Sequence, residues 1–314
     1  MRISLAQLQA ARDLLRTHFA PTRLVAAKPA ASSGDLFLKL ESELPTGSFK
    51  VRGAVYALTV NLRNRPIAEL IAASTGNHGA AVAYAGGLMK IPVTIFLPNR
   101  PNPVKAQRIR ELGARIVEAG VDLSAAIDAA YDHAHRTGAF FLHDATDRDV
   151  PVGAGTIGIE ILDQLPTVDT IYVPMGDTAL IRGVASAAKH LKPGIRVVGA
   201  VAREAPAYYL SFQQGGAVET ATAATIADGL AVRRALQPNV DEVRALVDEV
   251  RLVSEEEMLA TIGVLDRRDG IIAEPAAAAA TAAYLQRPAS AETSVALVTG
   301  CNIAPELRAR LAPT

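Results

Sequence analysis

The sequence predicts an α/β protein with mostly parallel sheets. Short apolar runs bounded by turn residues alternate with stretches of helical length, as in strands that are joined by crossover helices. At 314 residues, and with about 100 to 200 residues in a typical domain, the chain is long enough for about two lobes. We therefore expect two open, twisted sheets, each flanked by helices.

Eight short runs are predicted to be strands because each is apolar and is bounded by residues that favour turns. They are residues 36–40, 70–73, 93–97, 115–117, 139–142, 170–173, 196–200 and 294–298. Eight longer stretches are predicted to be helices from their periodicity or alanine content and from their start and stop signals. They are residues 49–62, 77–88, 103–112, 123–135, 155–164, 179–190, 254–269 and 275–285. Ser254 and Glu257 have the spacing of a capping box, which marks the start of one of these helices.

The composition excludes several classes of protein. Lysine plus arginine and aspartate plus glutamate each total 32, and no basic block is present, so a nucleic-acid partner is not expected. The single cysteine, Cys301, cannot form an internal disulfide and leaves no Cys-rich zinc pattern. No apolar stretch reaches the about 18 residues that a membrane helix needs, and polar residues interrupt any candidate signal segment. We expect a cytoplasmic protein that binds no metal and no membrane.

The first segment that can carry chemistry is residues 44–50, which read Leu-Pro-Thr-Gly-Ser-Phe-Lys. They predict a turn that leads directly into a helix, with Lys50 in the first helical turn. The positive end of the helix dipole disfavours an ammonium group there and lowers its pKa. A neutral amine is what a Schiff base with an aldehyde requires. The alternative is a surface lysine whose side chain lies beside the turn.

The second segment is residues 71–79, which read Ile-Ala-Ala-Ser-Thr-Gly-Asn-His-Gly. They predict a strand that opens through small and polar residues into a helix. Backbone N–H groups at such an opening bind anions, and a substrate carboxylate fits there, with Asn77 adding a directed amide. The alternative is an ordinary turn that Ser74 or Asn77 caps.

The third segment, residues 171–180, is another strand, tight turn and helix start. Gly176 permits a close backbone approach, and the N–H groups of residues 176–180 predict a phosphate site. The segment is neither a GxGxxG fingerprint nor a P-loop. Asp177 opposes the prediction, because its carboxylate repels a phosphate unless the side chain points away or caps the helix.

The fourth segment, residues 298–302, follows the last apolar strand. The hydroxyl of Thr299 can meet a ring nitrogen there without protonating it. The alternative is a simple turn.

Together and in this order, the four segments resemble the fold-type II family of pyridoxal-phosphate enzymes, and within it the threonine/serine dehydratase branch. The resemblance spans roughly residues 15–305 and is most specific at residues 45–54 and 74–79. Supporting pieces are residues 153–156, 227–229 and 273–275. The resemblance implies that pyridoxal 5'-phosphate binds in a cleft between two lobes. It also implies that the enzyme converts a β-hydroxy amino acid, such as L-threonine or L-serine, to a 2-oxo acid and ammonia.

The resemblance implies roles for individual residues as well. Lys50 is the catalytic residue and carries the cofactor as an internal aldimine. The other residues assigned to the cofactor are Phe49 beside the ring, Asn77 at the 3-hydroxyl, Gly176, Asp177, Thr178, Ala179 and Leu180 at the phosphate, and Thr299 at the pyridine nitrogen. The residues assigned to the substrate carboxylate are Ser74, Thr75, Gly76, Asn77 and His78.

We further expect residues 1–68 and 146–314 to form a large cofactor-binding domain with residues 69–145 as a small inserted domain. The resemblance implies a homodimer or homotetramer. Two alternatives to the dehydratase stay open. One is a serine racemase or β-replacement enzyme, and the other is a cofactor-binding protein without turnover. Thr75 stands where serine racemases of this branch carry serine, which favours elimination over racemisation.

Overall fold

The computed structural model describes residues 3–28, 35–74, 76–101, 103–288 and 290–311, and it leaves out the side chains of residues 103–105 and 310. The chain divides into two compact units. The larger unit consists of Met1–Phe49 and Ala154–Thr314, and the smaller unit of Lys50–Gly153. Each is a mostly parallel sheet with flanking helices, so the predicted α/β class is confirmed.

The described ranges contain ten strands and twelve α-helices. In chain order the strands are β1 (Leu24–Ala26), β2 (Leu36–Leu40), β3 (Leu70–Ala73), β4 (Val93–Leu97), β5 (Arg115–Glu118), β6 (Phe140–Phe141), β7 (Thr170–Pro174), β8 (Arg196–Ala202), β9 (Glu249–Val253) and β10 (Ser294–Val298). The helices are α1 (Leu5–Leu15), α2 (Lys50–Asn64), α3 (Asn77–Leu88), α4 (Pro103–Glu111), α5 (Leu123–Thr137), α6 (Val150–Gln164), α7 (Ala179–Leu191), α8 (Ala207–Gln214), α9 (Gln237–Leu246), α10 (Glu255–Val264), α11 (Pro275–Leu285) and α12 (Pro305–Leu311).

The sheet of the smaller unit has the order β5-β4-β3-β6, and its neighbouring strands are all parallel. Its strands are joined by helices, as parallel pairing requires. A cluster of buried apolar side chains lies between this sheet and α5, including Ile71, Phe96 and Ala126. The carboxyl ends of parallel strands share one edge of the sheet, and ligand-binding residues of α/β proteins follow those ends.

The sheet of the larger unit has the order β1-β2-β10-β7-β8-β9. Only the edge strand β1 is antiparallel to its neighbour within the described residues. The central strands β7 and β10 are buried along their whole length, which explains their continuous apolar sequences. Alanines of α11 are buried in the core on one face of this sheet, so the alanine run at 276–280 is a closely packed helix.

All the predicted strands are present, with small differences in their ends, and the predicted capping box of Ser254 and Glu257 is confirmed. The helix predicted at 254–269 is corrected. Its α-helical part ends at Val264, and residues Leu265–Asp269 form a π-helical turn. No helix in the described ranges is both long enough and apolar enough to cross a membrane.

Candidate active site

Lys50 is the first residue of α2, so it lies in the first helical turn, as predicted. The preceding turn is closed by a hydrogen bond from the N–H of Gly47 to the carbonyl of Leu44, 2.7 Å long. Gly47 has a φ of +68°, which a glycine adopts without strain. The side chain of Lys50 is only 12% exposed, so Lys50 is not a surface lysine.

The amine of Lys50 donates a hydrogen bond to a carboxylate of the smaller unit. Its Nζ lies 2.8 Å from Oδ2 of Asp144, two residues after the last buried residue of the predicted strand 139–142. This contact joins residues that are 94 positions apart in the chain. An ion pair with this geometry is a charge-assisted hydrogen bond, which is stronger than one between neutral groups.

The predicted substrate segment enters α3 beside the same carboxylate. The ring of His78 is buried, with Nε2 at 2.9 Å from the carbonyl of Leu142 and Nδ1 at 3.9 Å from Oδ2 of Asp144. Asn77 is the first residue of α3, and the N–H of Gly76 donates to Oγ of Ser74. The predicted residue Thr75 lies outside the described residues.

In the larger unit, the segment before Lys50 is attached to the end of β10. The N–H of Phe49 donates to the carbonyl of Thr299, and the N–H of Cys301 donates to the carbonyl of Gly47, each at 3.0 Å. The side-chain amide of Asn302 donates to the carbonyl of Thr46 at 3.0 Å. These bonds place the predicted residues Phe49 and Thr299 side by side.

Residues 176–180 form the turn between β7 and α7. A Cβ added at Gly176 would lie 2.1 Å from the carbonyl oxygen of Gly229, so only glycine fits there. Thr178 has a φ of +74°, an unfavourable conformation for a β-branched residue. Its Oγ1 is buried and has no hydrogen-bond partner among the described residues. Strain and an unpaired buried hydroxyl in one turn are typical of functional sites.

The Asp177 side chain caps α7, which is one of the two arrangements that the sequence analysis allows. Its Oδ1 accepts a hydrogen bond from the N–H of Ala179 at 2.9 Å. The carbonyl of Asp177 accepts a longer bond, of 3.4 Å, from the amide of Asn239. The turn is therefore held by both its own side chain and α9.

Comparison with known proteins decides the family. Residues 15–300 match the model of a family described as pyridoxal-phosphate dependent enzymes. The chain belongs to this family. An L-threonine ammonia-lyase of Geobacter sulfurreducens is 35% identical over 94% of this chain and 75% of its own.

Solved structures of the family show the same fold. A threonine deaminase of Solanum lycopersicum has a TM-score of 0.91 and 26% identity, covering 98% of this chain and 92% of that one. A serine racemase of maize has a TM-score of 0.91 and 26% identity, covering 99% of this chain and 97% of that one.

The residues present fit pyridoxal phosphate, the cofactor of this family. Lys50 provides an amine for an aldehyde, and the turn at 176–180 provides backbone N–H groups at the start of a helix. The buried hydroxyl of Thr178, which has no hydrogen-bond partner among the described residues, would be a further donor for a phosphate. Thr299 is buried and provides a neutral hydroxyl.

Two acidic residues contact or lie beside the predicted site residues of this pyridoxal-phosphate enzyme, but the sequence did not predict a role for them. One is Asp144, whose signal was its place just after a predicted parallel strand. The other is Glu274, which appeared only in a supporting motif. A Cβ added at Gly300 would lie 2.5 Å from Oε1 of Glu274, so this carboxylate packs against the residue that follows Thr299.

Proposed function

We propose that the chain is an ammonia-lyase that converts a β-hydroxy amino acid, such as L-threonine or L-serine, to a 2-oxo acid and ammonia. The observation that carries this proposal is the mostly buried amine of Lys50, held 2.8 Å from the carboxylate of Asp144 at the start of α2. The similar proteins from Geobacter sulfurreducens and Solanum lycopersicum are named for this reaction on threonine, which supports the substrate class.

In this proposal, residues from all four candidate segments hold the cofactor. When bound, pyridoxal phosphate supplies an extended π-system that stabilises negative charge at the α-carbon of the substrate. The residues that hold it are Lys50 at the aldehyde carbon, Phe49 beside the ring, Asn77 at the 3-hydroxyl, Thr299 at the ring nitrogen, and Gly176, Asp177, Thr178, Ala179 and Leu180 at the phosphate.

Lys50 is also the general base. Whenever its Nζ is free, the neutral amine accepts the proton from the α-carbon of the substrate. Its place at the first residue of α2 supports this role, because the helix dipole there favours the neutral amine. The nearby carboxylate of Asp144 stabilises the ammonium that forms when the proton arrives.

The side chain of Thr299 is uncharged, and in this proposal that favours elimination of the β-hydroxyl over transamination. Its hydroxyl would bond the ring nitrogen without holding a proton there, whereas a carboxylate would keep that nitrogen protonated. The weaker withdrawal of electrons disfavours the transamination that competes with loss of the β-hydroxyl.

The start of α3 binds the substrate carboxylate in this proposal. The first N–H groups of a helix have no partners within the helix and point towards an anion. The residues that contribute are Ser74, Thr75, Gly76, Asn77 and His78. The backbone of His78 contributes, since its ring is engaged with the carbonyl of Leu142.

A panel of β-hydroxy amino acids tests the function. The purified protein is incubated with L-serine, L-threonine and bulkier homologues, and 2-oxo acid and ammonia are measured together. Equal amounts of the two products are expected. A protein that shows the visible absorbance of bound cofactor but forms no 2-oxo acid, no D-amino acid and no β-replacement product would be a binding protein without turnover. Addition of sulfide separates β-replacement from elimination, because only the former consumes it.

A serine racemase is the second candidate, favoured by the 26% identity and TM-score of 0.91 with the maize enzyme. Its product is a D-amino acid without loss of ammonia. Chiral analysis of the serine that remains in the same assay distinguishes the two reactions.

We also propose that the enzyme is cytoplasmic, which its single cysteine fits. We further propose that it acts as a homodimer or homotetramer, as the family resemblance implies. Light scattering of the cofactor-bound protein tests the assembly. A monomer that carries out full turnover would contradict this part of the proposal.

A further inference from the structure

Asp144 has no role in the chemistry that the sequence predicts, yet its carboxylate contacts the catalytic amine. We propose that Asp144 is a positioning residue that holds Nζ of Lys50 in place and balances its charge whenever the amine is free. This inference rests on the proposed function, in which Lys50 acts as the base. The evidence is the 2.8 Å contact, made by side chains that are 12% and 24% exposed.

The backbone around Asp144 is fixed by the sheet and by a tight turn. The N–H of Leu142 donates to the carbonyl of Ile71 in β3 at 2.9 Å. The N–H groups of Thr146 and Asp147 both donate to the carbonyl of His143. Asp144 therefore approaches Lys50 from a supported backbone, which a positioning residue requires.

Two histidines lie near the same carboxylate. His143 Nδ1 lies 3.6 Å from Oδ1 of Asp144 and accepts a hydrogen bond from the N–H of Ala145. His78 uses Nε2 to donate to a backbone carbonyl, and its Nδ1 is too far from Asp144 for a hydrogen bond. Lys50 is at hydrogen-bond distance.

Other titratable groups follow Asp144 in the smaller unit, and Asp147 interacts with the charges of His78 and His143. Burial raises the pKa of Asp147, while hydrogen bonds from the N–H groups of Asp149 and Val150 act in the opposite direction. Burial also raises the pKa of Asp149, and the charge of Asp147 acts in the same direction. The charged or titratable residues on these elements are Arg52, Tyr56 and Arg63 on α2, His78 and Tyr84 on α3, and His143, Asp147, Arg148 and Asp149 between β6 and α6.

The contact has a direct consequence for the reactivity of Lys50. A carboxylate at hydrogen-bond distance stabilises the ammonium, whereas the start of α2 destabilises it. Asp144 therefore offsets the helix dipole and stabilises the product of proton abstraction. It also keeps the long lysine side chain in one conformation, so less rotamer entropy is lost at each proton transfer.

The test compares Asp144→Asn with Asp132→Asn, an exposed aspartate of α5 in the same unit that serves as a control for the lost charge. In the full-length chain freed of cofactor, Lys50 is labelled with an amine-selective reagent over a range of pH, and the labelled peptide is quantified by mass spectrometry. Only the neutral amine reacts. We expect the pH of half-maximal labelling to fall by about one unit in Asp144→Asn and to stay unchanged in Asp132→Asn. Equal profiles in all three proteins would overturn the proposal.

Steady-state kinetics of the cofactor-loaded enzyme give the second measurement. We expect Asp144→Asn to lower kcat about tenfold or more with little change in KM, and Asp144→Glu to recover part of the loss. A change in KM alone, or no recovery with glutamate, would contradict a positioning role.

The two measurements separate this proposal from the proposed function. A wild-type protein that forms no 2-oxo acid contradicts the lyase, whereas the labelling profiles still report the Lys50–Asp144 pair. An active lyase whose Asp144→Asn variant keeps the wild-type labelling profile and kcat contradicts the role of Asp144 alone.

Discussion

The carboxylate of Asp177 accepts a hydrogen bond from the N–H of Ala179 at 2.9 Å, so a negative charge lies in the turn that we propose for the cofactor phosphate. The bond stabilises the start of α7, where a negative charge is favourable. The same charge repels a phosphate dianion. The carboxylate also accepts from the N–H of Ala179, which is one of the backbone donors proposed for the phosphate. The carboxylate of Asp177 therefore stabilises the turn but lowers its affinity for a phosphate.

We predict that Asp177→Asn binds pyridoxal phosphate more tightly. Asparagine keeps the capping oxygen and removes the charge, and a gain of about tenfold in affinity corresponds to about 1.4 kcal/mol. Absorbance titration of the cofactor-free protein measures the dissociation constant. The control is Asp13→Asn, an exposed aspartate on α1. Weaker binding by Asp177→Asn would place the phosphate elsewhere.

Replacement of Lys50 by alanine is predicted to abolish both turnover and the covalent attachment of the cofactor. Without the amine there is neither a group to bind the aldehyde nor a base, so 2-oxo acid formation is expected to fall by at least about 1,000-fold. Borohydride reduction followed by mass spectrometry checks the attachment, and Lys28→Ala, at an exposed position, is the control. Near wild-type activity of Lys50→Ala would refute the assignment.

Thr299→Asp is predicted to change the reaction profile. A carboxylate at this position keeps the ring nitrogen protonated, so electron withdrawal increases and transamination gains on elimination. The visible spectrum and the ratio of 2-oxo acid to aminated cofactor measure the change. Thr299→Ser retains the hydroxyl and should behave as the wild type. Unchanged spectra and product ratios in the aspartate variant would rule out contact between residue 299 and the ring nitrogen.

Glu69 is predicted to stabilise the smaller unit at neutral pH and to lose this effect in acid. Burial alone raises the pKa of its carboxyl, but hydrogen bonds from His133 at 2.8 Å and Thr94 at 2.6 Å, with the charges of His133 and Arg115, make the net shift downward. A lowered carboxyl pKa contributes stability above the value in the unfolded chain, and this contribution disappears as the pH falls through the value in the folded protein.

Glu69→Gln should therefore lower the free energy of unfolding by about 1 to 2 kcal/mol at pH 7. The difference from the wild type should begin to shrink as the pH falls below about 4.3, the ordinary pKa of glutamate. It should disappear only at a lower pH, where the carboxylate of the folded protein takes up its proton. Urea unfolding at pH 7 and at a series of acid pH values measures the difference, with Glu111→Gln, on the exposed face of α4, as the control. A difference that does not depend on pH would point to lost packing instead of lost charge.

Much of the fold was predictable because central strands have strong local signals. β7 and β10 are continuous apolar runs bounded by turn residues, and both were predicted. Two edge strands were missed, since β1 has only three residues and β9 alternates charged with apolar side chains. The edges of a sheet have fewer neighbours, so their sequences are less constrained.

The buried cation Lys39 shows where local patterns mislead. It lies in a correctly predicted strand, β2, but its side chain is fully buried. Its Nζ donates to Oε2 of Glu160 at 2.7 Å and to the carbonyl of Thr22 at 2.8 Å. A lysine in a strand is ordinarily predicted to face solvent. The sequence around Lys39 does not show that Glu160 and Thr22 pair with it in the core.

The sequence by itself determined that Lys50 begins a helix after a glycine turn, and that residues 176–180 join a strand to a helix, because turns and helix starts depend on neighbouring residues. Only the tertiary structure decided that Asp144 contacts Lys50 across 94 positions of the chain. That contact depends on the pairing of β3 with β6, which puts the segment after β6 beside α2 and α3. Strand pairing is selected by packing of the whole unit, so no local pattern specifies it.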